Sequence, residues 1–173
     1  MLTCRRPPVA VLVLAIVGAL ALLSGCGGDD GPQTKEGFIL DADGVCESFL
    51  GKFEEAGSRN PGTAKEIAEA NRVLADTYER FSERMAQVQL PDSGAARTQA
   101  QAYVQSVRSS GPLLDRLRAT ADAFLQAAGG RDRQALTEAG NDLRIALDAF
   151  RANRAQSDRL AVDYGLYLCG NLD

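Results

Sequence analysis

Apolar positions recur along most of the chain at alternating steps of four and three. In the second half the rhythm runs through Leu136, Gly140, Leu143, Leu147, Phe150, Arg154, Ser157, Ala161, Tyr164 and Leu168. It repeats through Tyr103, Val107, Ser110, Leu114, Leu117, Ala121, Phe124 and Ala128, and through Ile67, Asn71, Leu74, Tyr78, Phe81, Met85 and Val88. A shorter set is Ile39, Ala42, Cys46, Phe49 and Phe53. Steps of three and four keep one stripe of a 3.6-residue helix facing the same way, so each set predicts a rod packed lengthwise on its neighbours. The residue types agree. The body is rich in Ala, Leu, Arg, Asp, Glu and Gln and poor in β-branched and aromatic residues, which favours helix over strand.

Punctuation falls between the stripes. Asn60-Pro61 opens the second rod, and Thr63 with Glu66 has the spacing of a capping box. Leu90-Pro91-Asp92 closes it. Gly129-Gly130 ends the third, Asp132 can cap the fourth, and Gly170 follows Leu168 where a terminating glycine belongs. Four helices joined by short loops predict an all-α, up-down-up-down four-helix bundle. Gly111-Pro112 interrupts the third rod. Proline removes a backbone hydrogen bond and costs ~3 kcal/mol in an unadapted helix. The stripe nevertheless keeps its phase from Val107 through Ser110 to Leu114, so the expectation is a kinked third helix, with a complete break as the alternative.

The N-terminus breaks the pattern. Arg5 and Arg6 precede Val9 to Leu23, a run of 15 residues that is apolar apart from glycine. A membrane-spanning helix needs about 20 apolar residues; this run has the length of a signal-peptide core. It ends in Leu23-Ser24-Gly25-Cys26, which resembles the lipobox of bacterial lipoproteins. The resemblance implies diacylglyceryl transfer to the Cys26 sulfur, cleavage before it and acylation of the new N-terminus, with palmitate-type chains anchoring the protein. Two or more such chains give stable anchoring, at ~0.8 kcal/mol per buried CH₂. An uncleaved single-pass anchor and a soluble secreted form are the alternatives. Twin-arginine export fits the residues around Arg5-Arg6 poorly.

Three regions follow: residues 1–25 as lipoprotein signal peptide, 26–37 as lipidated flexible tether, and 38–173 as the bundle. The tether, GGDDGPQTKEG over residues 27–37, lacks apolar periodicity. The body of 136 residues is one domain's worth, with no internal repeat.

Processing shifts the charge. Residues 1–25 hold two of the 19 basic residues and none of the 23 acidic ones, so the mature chain carries a net charge of −6. An acidic chain without a basic stripe is repelled by nucleic acid, and no nucleic-acid partner is expected.

Four cysteines are present. Cys4 leaves with the signal and Cys26 takes lipid. Cys46 and Cys169 remain, an even remainder that suggests a disulfide in an exported protein. In an up-down-up-down bundle the start of the first helix and the end of the fourth share a pole, which supports the pairing. A redox-active pair and two free buried thiols are the alternatives; no C-x-x-C accompanies them.

Histidine is absent from the chain. That removes Ser-His-Asp and Cys-His nucleophiles, imidazole zinc sites and the Glu-x-x-His di-metal motif. No phosphate-binding loop follows a strand. Asp41, Asp43 and Glu47 cluster around Gly44 but lack the 12-residue ligand run of a calcium loop; negative charge near a helix start is ordinary. Asp115 with Asp122, and Glu138 with Asp142, could share helix faces, among mixed charges such as Glu79 with Arg84 and Asp148 with Arg151. No catalytic residue, metal or cofactor is expected. Asn71, Ser110, Arg154 and Ser157 are polar positions on the stripes. They could line an interhelical pocket, set helix register as buried asparagines do, or lie off the stripe, with Arg154 reaching outward.

The body resembles small helical lipoproteins of bacterial envelopes that carry one cysteine near each end and have no assigned activity. The resemblance rests on the lipobox, the Ala/Arg-rich helices and YGLYLCG at 164–170. It implies a protein held by lipid on the extracytoplasmic side of the cell membrane. A non-enzymatic bundle that engages an unknown envelope protein or component is the first expectation, with off-stripe apolar residues such as Leu125 and Leu166 as contact candidates. A small-molecule carrier with a ligand between its helices is the alternative.

Overall fold

A computed structural model describes residues 32–57 and 61–171. The expected signal peptide, Cys4, Cys26, Asn60 and the greater part of the expected tether lie outside the described residues. Within them every regular element is helical. The α-helices are α1 (Lys35–Gly57), α2 (Ala64–Met85), α3 (Gly94–Arg108), α4 (Gly111–Gly129) and α5 (Arg133–Tyr164), and a short 3-10 helix covers Cys169–Asn171.

The start signals act as their chemistry dictates. Thr63 Oγ1 accepts the Glu66 N–H at 3.2 Å, and the Glu66 carboxylate accepts the Thr63 N–H at 2.9 Å, so two orphan donors of α2 are satisfied reciprocally. Asp132 accepts from the N–H groups of Gln134 and Ala135 at the start of α5. Gly130 caps α4. Helix α1 begins at Lys35, three residues inside the expected tether, where Thr34 Oγ1 accepts the Gly37 N–H.

The third rod is divided. Ser109 and Ser110 separate α3 from α4, and both stay in the right-handed helical region (φ −67° and −68°). The Ser110 N–H donates to Val107 O, a tighter turn than α-helical, and Ser110 O accepts the N–H groups of Leu113 and Leu114. Pro112, lying in the first turn of α4, needs no intrahelical donor there. The stripe keeps its phase across the interruption: Tyr103, Val107, Ser110, Leu114, Leu117 and Ala121 are all buried.

Four helices' worth of rod pack together around one core. Helix α4 lies against α2 and α5, α3 against α5, and α1 against α2. Small residues permit the close approaches: Ala68, Ala75, Ala100, Ala121 and Ala161 are fully buried. Rings fill the wider space. Tyr78 meets Phe150 edge-on at 4.9 Å, Phe81 meets Phe49 at 5.7 Å, and Phe38 meets Tyr164 at 5.4 Å. Each such pair contributes ~0.5–1.5 kcal/mol beyond its burial. Arginines bind the α2–α4 seam from outside: Arg118 bonds Asp76 and Glu79, and Arg72 bonds Asp122.

The C-terminal end differs from the sequence expectation. Helix α5 stops at Tyr164, not after Leu168, and the left-handed residue that ends it is Gly165 (φ 101°), not Gly170. The chain then doubles back, which buries Leu166, expected as an exposed contact residue. Leu125, the other one, is half-buried. Gly170 serves close approach instead: a Cβ there would come within 2.5 Å of Val162 Cγ2. No described helix is long and apolar enough to cross a membrane.

Candidate functional site

The returning tail brings Cys169 onto α1, and its sulfur is bonded to that of Cys46 across a sequence separation of 123. Both cysteines are buried, at 0% and 1% exposure, so solvent reductants have no direct path to the bond. Asp43, one turn before Cys46, accepts the N–H groups of Leu168 and Cys169 at 3.2 and 3.4 Å. The carboxylate read from sequence as helix-start charge thus caps the tail beside the disulfide. Asp41, its neighbour in the cluster, accepts from Gln33 Nε2.

The polar residues of the stripes go to separate places. Asn71 donates to Ile67 O of its own helix at 2.8 Å, and Ser110 Oγ donates to Val107 O at 2.6 Å. The Arg154 guanidinium stands 5.9 Å from the Phe53 ring centroid, with Asp158 at 3.8 Å. Ser157 enters a buried polar group: its hydroxyl lies 2.8 Å from that of Ser106. Tyr78 and Tyr103 border this group, and the Tyr103 hydroxyl is 3.9 Å from Cys46 Sγ. Burial pushes the Tyr78 hydroxyl up to about 12; the charge of Asp158 adds to the shift, and a bond from Ser157 offsets part of it. Burial likewise holds Tyr103 well above its ordinary value. Both phenols are therefore neutral at any physiological pH. The two serine hydroxyls have no histidine to activate them. The arrangement joins α2, α3 and α5 through buried hydroxyls. Ser106 escaped the sequence reading because it lies one position off the Tyr103–Val107–Ser110 stripe.

Three hollows lie elsewhere. A hollow of about 560 Å3 opens between the connection after α2 and the outer face of α3, lined by Ala86, Val88, Leu90, Gln101, Val104, Gln105, Arg108 and Ser109. A second, of about 480 Å3, shares Ala86 and Arg108 with it and adds Ser82, Glu83 and Gln87. A third, of about 260 Å3, is bordered by Asp158, Arg159, Val162, Asp163 and Gly170. None of these three includes Asn71, Ser110, Arg154 or Ser157.

Most of the carboxylates singled out from the sequence bond a neighbouring side chain. Asp115 and Asp122 belong to the Arg118 and Arg72 clusters, Glu138 bonds Gln134, and Asp148 lies between Arg144 and Arg151. No group of three acids or cysteines among the described residues is placed to hold a metal ion. Comparison with known proteins adds no further assignment: no family model, curated protein or solved structure matches this chain.

Proposed function

We propose that this chain is an exported lipoprotein, held by lipid on Cys26 at the extracytoplasmic face of a cell membrane, whose helical domain binds an envelope protein or component without chemical turnover. The observation that carries the reading is the buried Cys46–Cys169 disulfide. Such bonds persist in oxidising compartments and are rare in the cytosol. It accords with a chain whose first 26 residues read as an export signal ending in a lipid acceptor. In this reading the rods run up, down, up, down, with α3 and α4 as one rod bent at Ser109–Ser110; the meeting of the α1 start with the α5 tail supports it. The hollow beside Arg108, with its apolar Val88, Leu90 and Val104 and its two glutamines, is the candidate contact surface for a partner.

Growth with an alkyne fatty acid, followed by fractionation, tests the anchor. The wild-type chain is expected in the membrane fraction, labelled, and starting at Cys26. Cys26→Ala should lose the label and the membrane association. Recovery of an unlabelled cytosolic chain with residues 1–25 intact would overturn the reading. The carrier alternative draws on the same hollow, and native mass spectrometry of protein purified from its source would show a copurified small molecule if it held.

A further inference from the structure

Four of the five large apolar side chains exposed on the described residues sit at one end of the domain. Leu40 and Tyr167 are each 74% exposed, Val162 52% and Leu168 39%. They are tied to the same place. The Leu168 N–H donates to Asp43, one turn along α1 from Leu40, and Val162 packs over Gly170. The fifth, Ile145, lies about 25 Å back along α5 from Val162. The tail is not loosely packed here, since Leu166 and Cys169 on either side of Tyr167 and Leu168 are buried. The fold turns Tyr167 outward while holding its backbone.

The chain enters the domain at this same end. The Asp92 N–H bonds Gln33 O just before α1, and Cys26 is nine residues ahead of Lys35. At 3.3–3.6 Å per residue, nine residues reach about 30 Å at full extension. Helix α5, with its 32 residues, is about 48 Å long. A lipid on Cys26 would keep this end within about 30 Å of the bilayer, at an effective concentration of order millimolar for a short linker. A small apolar patch suffices at that concentration. Leucine and valine suit the acyl boundary, and tyrosine suits the headgroup level, with its ring in and its hydroxyl out.

We infer that Leu40, Val162, Tyr167 and Leu168 form a membrane-resting surface, seated in the interface of the bilayer that carries the Cys26 lipid. The inference rests on the lipid-tether reading above. Its chemistry is apolar rather than electrostatic: Glu36, Asp41, Asp43, Asp158 and Asp163 outnumber Lys35, Arg154 and Arg159 nearby, so anionic headgroups weaken the contact. The domain would thus sit upright, and the hollow beside Arg108 would open sideways within reach of proteins in the same membrane.

The chain has no tryptophan, so Tyr167→Trp makes a single reporter. The lipidated full chain carrying it is reconstituted into phosphatidylcholine vesicles with brominated acyl chains, and Ile145→Trp serves as the distant control. Expected are blue-shifted, quenched emission from Tyr167→Trp, unquenched emission from Ile145→Trp, and loss of quenching as anionic lipid is added. Circular dichroism and an intact Cys46–Cys169 bond verify the fold of each variant. A chain that floats with the vesicles but shows the same emission at both positions overturns the inference and leaves the tether standing. So does quenching absent from vesicles when Tyr167 is shielded in native envelopes, which would assign the patch to a protein. A chain that fails to float overturns the tether and the resting surface with it.

Discussion

The two ends of the domain are held by different means. At the end where α1 starts and α5 stops, the core reaches the last turn: Phe38, Met85, Tyr164 and Leu166 are almost wholly enclosed. A covalent bond and the Asp43 cap fasten the tail there. Toward the starts of α2 and α5, the outermost buried residues are Ala68, Ala121 and Leu143, while Ile67, Phe124, Leu125 and Leu136 are only half-covered. That end relies on the caps of Thr63 and Asp132. The fastened end raises global stability through the unfolded chain, because a bond across the whole fold restricts every open conformation. On this contrast the capped end should act locally and fray without the rest unfolding.

Removing the bond should break the comparison most severely. With Cys46→Ala and Cys169→Ala together, the loop-closure model gives a loss of about 5 kcal/mol for a loop of more than 100 residues. The separation here is 123. Denaturant unfolding of the wild type with and without reductant, beside the double variant, measures it. A change below about 1 kcal/mol would mean that the tail and its disulfide matter no more than a surface cap.

Alkali should attack the fastened half next. The Tyr78 and Tyr103 hydroxyls bind their protons more tightly in the folded chain, chiefly through burial. Their contribution is complete below the ordinary tyrosine value near 10 and is lost as pH rises toward about 12, where Tyr78 ionises in the fold. For Tyr78 a shift of that size corresponds to about 2–3 kcal/mol. Stability against pH should therefore fall above pH 10 in the wild type and fall less in Tyr78→Phe. Acid acts on the other end. Bonds from Thr63 and from the N–H groups of Gly62 and Thr63 hold the Glu66 carboxyl below its ordinary value. Its stabilisation is present above that value and is lost as pH falls through the depressed one. Hydrogen exchange should show the first turn of α2 opening in acid while α1 and the tail stay protected.

Much of this contrast was legible in the sequence, and the illegible part has one physical cause. Periodicity located the stripes, and Thr63, Glu66, Asp132 and Gly129-Gly130 marked helix ends, because those signals depend only on residues within a turn of one another. Cys46 and Cys169 paired as the even remainder of an exported chain, with the bundle topology in support. The reversal at Gly165 was missed because Leu168 still falls on the extrapolated stripe. A 3.6-residue period says nothing about where the rod stops when the chain beyond it folds back. For the same reason Leu166 read as exposed, Gly170 as a terminator and Asp43 as helix-start charge. Each acquires its role from a residue more than a hundred positions away or from the returning tail. The interruption at Ser109–Ser110 kept the stripe in phase, so the stripe alone could not reveal that the rod is divided.

A tighter test of the fastened end uses the close approach at Gly170. A Cβ there would meet Val162 Cγ2 at 2.5 Å and lie 3.4 Å from Asp158 O. Gly170→Ala should cost about 1–3 kcal/mol through overpacking. Val162 is half-exposed, so Val162→Ala alone should cost little and should restore most of the loss in the double variant. Additive losses would place the strain in the backbone of the tail rather than at Val162.

The smallest effects belong to the capped end, and they decide whether the ends are coupled. Thr63→Ala removes the acceptor of the Glu66 N–H, and Asp132→Ala removes the acceptor of two N–H groups at the start of α5. Each should cost about 1 kcal/mol. If the ends are independent, the two losses add in the presence of the disulfide, and exchange quickens only in the first turns of α2 and α5. If the disulfide holds the whole bundle as one cooperative unit, each cap variant instead lowers protection at α1 and the tail by the same amount as at its own helix start. Exchange measured on both variants, oxidised and reduced, separates these cases. Uniform loss in the oxidised protein that becomes local on reduction would show that the bond, rather than the core, carries the cooperativity between the ends.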